Sequence, residues 1–150
     1  MNFYLCDEMR ILNKKVMMNY ISKKYKYPKV TSKILDCALE VHKTLGNGYP
    51  QDIYRKALSL EMQFLGLEHQ REIDLDIFCR GEKIGSRRID FLVANTISVE
   101  ITAINQLEDD HLIQVINYLE AYNLDVGLLI NFGAKNLEFK RVMNKKNLSQ

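Results

Sequence analysis

The chain has 150 residues, 47% apolar and 27% charged, with 21 Lys and Arg against 19 Asp and Glu. That composition excludes disordered, collagen-like and low-complexity classes, and the length allows one domain with one core. The charge is unevenly spread: residues 1–30 sum to +5, residues 31–134 to −7 and residues 135–150 to +4, so an acidic body carries two basic ends.

The first thirty residues, with Lys14, Lys15, Lys23, Lys24, Lys26 and Lys29, hold no clean period. They are expected as a basic N-terminal extension, either an arm or a short helix around residues 11–21. From Thr31, Ile34, Leu35, Ala38, Val41, His42 and Leu45 recur at three and four residues and predict a helix that Gly46 ends. Pro50 then suits a first helical position, and Ile53, Tyr54, Ala57, Leu58, Leu60, Phe64 and Leu65 form a second amphipathic stripe before Gly66. Residues 72–79 alternate acids with apolar side chains, a half-exposed strand closed by the turn signal Arg80-Gly81. Residues 87–93 and 97–103 alternate again around Ala94-Asn95-Thr96, a tight hairpin. A third helix over residues 107–122, a buried strand over 126–132 and a last strand over 137–143 complete the domain, expected to span 31–143 with a basic tail at 144–150.

No stretch reaches the ~20 apolar residues of a bilayer span, and the start MNFYLCDEMR lacks a basic flank followed by an apolar run. The expectation is a cytoplasmic protein with no membrane partner; a homodimer is left open. Cys6, Cys37 and Cys79 are odd in number and far apart, which fits a reducing compartment, and Cys37 and Cys79 read as core positions. The histidines His42, His69 and His111 are too scattered for a local metal motif, so a metal site would have to use carboxylates. His42 shares the apolar stripe of the first helix and reads as a satisfied half-buried histidine. No GxxxxGK, GxGxxG or GxSxG run occurs, which leaves nucleotide-triphosphate, dinucleotide and serine-hydrolase readings without local support.

With Asn95 at the hairpin centre, Asp90 faces Glu100 and Arg88 faces Thr102, all on one surface. Directly opposed Cβ atoms lie ~4.5–5.5 Å apart, where like charges are destabilising unless a cation or a raised pKa offsets them. Mg²⁺ is commonly held by one or two carboxylates, with water and substrate phosphate completing its shell. Spacing alone favours the plainer arrangement, two acids on a solvated face with Arg88 pairing to one of them. The third helix adds weight to a site, because His111, Gln114 and Tyr118 share one of its faces.

The runs EVHKTLGNGYPQDIYR, RRIDFLV, SVEITAI, HLIQVINYL and GLLINFGAKNLEFKRV resemble, in order and spacing, the GxxExxxR family, a branch of the PD-(D/E)XK nuclease superfamily, over residues 30–143. The resemblance implies an α/β fold of mixed α+β type: a mixed four-stranded sheet with added strands, flanked by helices. It also implies a Mg²⁺ or Mn²⁺ site at the hairpin, with Asp90 and Glu100 as metal ligands, and DNA or RNA as substrate. Gln114 and Tyr118 resemble a QxxxY element that supports such sites, His111 falls on a position the family often fills with His, and Gly48 and Arg55 fit the name-giving motif. Two positions depart from the pattern. Thr102 stands where the motif lysine belongs, so a charge beside the attacking water is missing. Gln51 stands where the motif glutamate belongs, and Asp52 beside it is turned about 100° away on the helix. Arg88 is the expected substitute cation. The implied activity is therefore a weakened metal-dependent nuclease, with a catalytically inactive module for nucleic-acid or protein binding as the alternative.

Overall fold

The computed structural model describes residues 4–10 and 27–144. The helix expected around residues 11–21 and the tail beyond Asn144 lie outside them. In chain order the elements are β1 (Tyr4–Arg10), α1 (Pro28–Leu45), α2 (Gln51–Phe64), β2 (His69–Cys79), β3 (Glu82–Val93), β4 (Ile97–Thr102), a 3₁₀ turn (Asp109–His111), α3 (Leu112–Tyr122), β5 (Val126–Asn131) and β6 (Glu138–Asn144). The strands form one sheet in the order β1-β6-β5-β4-β3-β2. Among the described residues only β4 and β5 pair in parallel; a parallel pair needs a long crossover, and α3 supplies it.

Period-2 patterning places Phe91, Val93, Val99, Ile101, Leu128 and Ile130 on one sheet face, where they bury against Ile34, Leu35 and Ala38 of α1 and Tyr54, Leu58 and Met62 of α2. Leu129 and Val142, on the other face, pack with Leu107, Val115 and Leu119 of the α3 region. The sheet is thus a middle layer between α1/α2 and α3, the mixed α/β architecture that the sequence implies. Gly127 lets α3 come close: a Cβ there would lie 2.6 Å from Val115 Cγ1 and 2.9 Å from Ser98 Oγ. No helix among the described residues is long and apolar enough to cross a membrane.

Several boundaries and placements differ from the sequence reading. β1 adds a strand where none was expected, pairing antiparallel with β6 from Tyr4↔Asn144 to Arg10↔Glu138. α1 begins at Pro28 rather than Thr31, because proline's fixed φ suits the first helical position. The third helix begins as a 3₁₀ turn, and Leu107 N–H is instead taken by Glu138 Oε2 at 3.1 Å. Cys37 is buried but Cys79 is exposed, since it ends β2 in a ribbon that runs past the rest of the sheet. β3 pairs with β4 only over Phe91–Val93, so the outer parts of β2 and β3 project and leave Phe78 61% and Ile84 67% exposed. His42 is half-buried with Nε2 3.0 Å from Ala134 O, as its apolar stripe suggests.

Candidate active site

The hairpin register is the one the sequence predicts, Phe91↔Val99 and Val93↔Ile97. Asp90, one residue further, belongs to neither flanking ladder. On its β2 side, Glu72 sits at φ 51°, a conformation costly for a non-glycine residue. On its β4 side the strands part, and side chains replace the backbone ladder: Ile101 N–H donates to Asp90 Oδ2 at 2.8 Å, and Asp90 N–H donates to Glu100 Oε1 at 3.2 Å.

The opening is a cleft of about 330 Å³ lined by Gln51, Arg55, Arg88, Asp90, Glu100, Thr102, His111 and Gln114 among others. Asp90 and Glu100 are only 7% and 8% exposed, so they do not lie on a solvated face. Arg55 Nε donates to Asp90 Oδ1 at 2.6 Å. Burial, with Asp90's charge second, pushes Glu100 up to about 9, so near neutral pH this carboxyl keeps its proton. One guanidinium and one proton thus balance two buried carboxylates.

The other expected residues fall in three groups. Gln51 heads α2 and donates from Nε2 to Ile101 O at 2.5 Å, bridging α2 to β4. Thr102 and His111 line the cleft, and His111 is tied to Glu108 of its own turn at 3.2 Å. Gln114 Nε2 donates to Tyr118 Oη at 2.6 Å, which donates to Arg88 O at 3.2 Å, so this pair braces β3 two residues before Asp90. Burial, then Glu100's charge, holds the Tyr118 phenol above its ordinary range. Gly48 lies in the exposed turn before α2 and does not line the cleft, and Asp52 is exposed.

Arg88 departs from expectation. It lines the cleft, yet its Nε and Nη2 fork onto Asp74 of β2 at 2.9 and 3.4 Å. β3 pairs with β2 over this stretch (Asp74↔Arg88), whereas its ladder with β4 ends at Phe91. The arginine on the carboxylate pair is Arg55, from α2.

Sequence reasoning missed what fixes the loop from β4 into α3. Asn131 Oδ1 accepts from Ile104 N at 2.9 Å and Gly133 N at 3.0 Å, while Nδ2 donates to Ile104 O at 2.9 Å and Glu138 Oε2 at 3.2 Å. A lone Asn ending the apolar run LLIN was the available signal. Tyr54 was read as part of the apolar stripe alone, but it donates to Gly46 O at 2.6 Å, accepts from Tyr49 N at 3.2 Å, and stacks on Phe132 with centroids 4.8 Å apart, holding the turn that aims α2.

Asp110 also lines the cleft, and the buried carboxylates open to a hard cation there are two, Asp90 and Glu100. That number suits Mg²⁺ or Mn²⁺ completed by water and phosphate, although no group of three His, Cys, Asp or Glu able to hold a metal occurs among the described residues.

No curated protein matches the chain, and no solved structure does. The family model for the PD-(D/E)XK nuclease superfamily matches residues 28–142, from the start of α1 to within β6 and around every cleft residue. On that match, and with the mixed sheet and paired hairpin carboxylates in place, the chain belongs to the PD-(D/E)XK nuclease superfamily.

Proposed function

We propose that this chain is a divalent-cation-dependent phosphodiester hydrolase of the GxxExxxR branch, acting on DNA or RNA at an attenuated rate. The observation that carries the reading is the buried Asp90 and Glu100 pair, open to a cleft, with Arg55 bonded to Asp90. Asp90 and Glu100 would hold Mg²⁺ or Mn²⁺, which supplies a Lewis acid and an activated water when bound. As a ligand, Glu100 would serve in its deprotonated form. Arg55, anchored on Asp90 and 30% exposed, offers positive charge to a phosphate in the cleft. Gln114 and Tyr118 hold β3 in place. Thr102 places no charge beside the attacking water, and this omission is why the rate is attenuated.

A second reading, a catalytically silent binding module, is favoured by the same hydrogen bonds seen differently. Arg55 already donates to Asp90, and Gln51 already donates to the Ile101 carbonyl, so oxygens that would face a cation are engaged as acceptors. Incubating the full chain with labelled DNA and RNA in Mn²⁺ separates the two. Cleavage lost in Asp90→Ala supports the hydrolase. No cleavage, together with no heat of Mn²⁺ binding in calorimetry, refutes it and leaves the silent module.

A further inference from the structure

α2 enters the cleft with two donors one helical turn apart. Gln51 and Arg55 stand at i and i+4 and so share one face of the helix. Each ends on an oxygen of the cleft, Gln51 Nε2 on Ile101 O at 2.5 Å and Arg55 Nε on Asp90 Oδ1 at 2.6 Å. The strands supply two further bonds, from Ile101 N–H to Asp90 Oδ2 at 2.8 Å and from Asp90 N–H to Glu100 Oε1 at 3.2 Å. The strand donors are backbone groups and stay as long as the sheet does. The α2 donors are the tips of side chains, which can swing away.

Asp90 and Ile101 both line the cleft, and carboxylate and backbone carbonyl oxygens are the ligands that hard cations take. Mg²⁺ sits ~2.1 Å from such an oxygen, so with Arg55 Nε 2.6 Å from Asp90 Oδ1 the two positive centres would be at most about 4.7 Å apart. Both carboxylates are buried, and water screens that repulsion poorly. Guanidinium and cation therefore compete for one oxygen. Arg55 has room to leave, since its side chain is 30% exposed. Arg88, the other arginine that lines the cleft, is no competitor, because its fork rests on Asp74.

We propose that Arg55 and Gln51 fill the place of the divalent cation in the free protein, so that α2 closes the site and the cation enters only as both donors let go of Asp90 and Ile101. Arg55 is then a positioning residue, and once released it is free for the phosphate. The proposal rests on the cation part of the hydrolase reading and not on cleavage. Its consequence is opposite to that of a merely structural ion pair. Removing a residue that shapes a cation site weakens binding, whereas removing one that occupies it strengthens binding.

Calorimetric titration of the full chain with Mn²⁺, without nucleic acid and at one pH and ionic strength, compares wild type with Arg55→Met, Gln51→Met and Arg88→Met. Methionine keeps much of each side-chain stem and removes the donors, and a circular-dichroism melt checks that each variant is folded. The expected result is Mn²⁺ binding about tenfold tighter in Arg55→Met and about threefold tighter in Gln51→Met, as a charged and a neutral hydrogen bond would give. Arg88→Met should match wild type. Equal tightening in Arg55→Met and Arg88→Met overturns the proposal, because net charge alone would then be at work. Unchanged or weaker binding in either α2 variant also overturns it, and Gln51→Met, which alters no charge, decides alone if Arg55→Met does not fold. Wild-type binding that neither α2 variant tightens refutes the closure and leaves the hydrolase reading standing. Binding that appears only in the α2 variants upholds the closure and refutes the hydrolase for the natural chain. No binding in any of the four refutes both.

Discussion

Replacing Glu100 by Gln tests the electrostatics of the cleft most directly. The buried carboxyl is pushed up to about 9, by burial first and by Asp90's charge second, whereas in the unfolded chain it titrates near the ordinary 4.5. Between those values the unfolded chain has released the proton and the folded chain retains it. Each unit of pH rise in that window therefore removes about 1.4 kcal/mol of stability through this one group. From pH 6 to pH 8 the loss is about 3 kcal/mol, a large share of the ~5–15 kcal/mol that holds a typical domain together. Glutamine keeps the size of the side chain and an oxygen to accept the Asp90 N–H bond, now 3.2 Å long, but it has no proton to lose. Urea unfolding of wild type and Glu100→Gln across this range, at constant ionic strength, reads the difference. The variant should gain on wild type by about 1.4 kcal/mol per pH unit. Parallel pH profiles would mean that Glu100 is already ionised in the fold, and the charge balance by Arg55 and one proton would be wrong.

Restoring the motif by Thr102→Lys with Gln51→Glu should raise metal-dependent cleavage by about 10²-fold, the low end of what a positioned acid or base supplies, as measured by single-turnover kinetics in Mn²⁺. Gly127→Ala should destabilise by about 1–3 kcal/mol in urea unfolding, because the new methyl meets Val115 Cγ1 at 2.6 Å and α3 must lift from the sheet. Tyr118→Phe removes the bonds to Gln114 and to the Arg88 carbonyl and should cost about 1 kcal/mol. Because the Arg88 carbonyl then loses its side-chain donor, amide exchange along β3 near Asp90 should also quicken in hydrogen-exchange measurements.

Much of this molecule was legible in local pattern. Two helical stripes, the alternation through Ile89, Phe91 and Val93, and the turn at Asn95 set elements, faces and register, and so brought Asp90 opposite Glu100 before any coordinates. β1 was not legible. An edge strand joins through backbone hydrogen bonds, which need no side-chain period, and YLCDEMR carries none. The reach of β2 and β3 was also underestimated, since a ribbon projecting beyond its neighbours keeps a strand's pairing while losing the buried face that alternation reports.

The sequence by itself determined that two carboxylates would face each other across one hairpin, with a threonine and a glutamine where the nuclease pattern has a lysine and a glutamate. Only the tertiary structure decided which cation meets them. Register placed Arg88 nearest, but β3 lies between β2 and β4, and Arg88 pairs with Asp74 on one neighbour while α2 brings Arg55 to Asp90 from 35 residues away. Periodicity states which way a side chain faces. Which partner it finds there depends on how strands and helices are ordered in space, and that ordering is set by long-range packing that no local window contains.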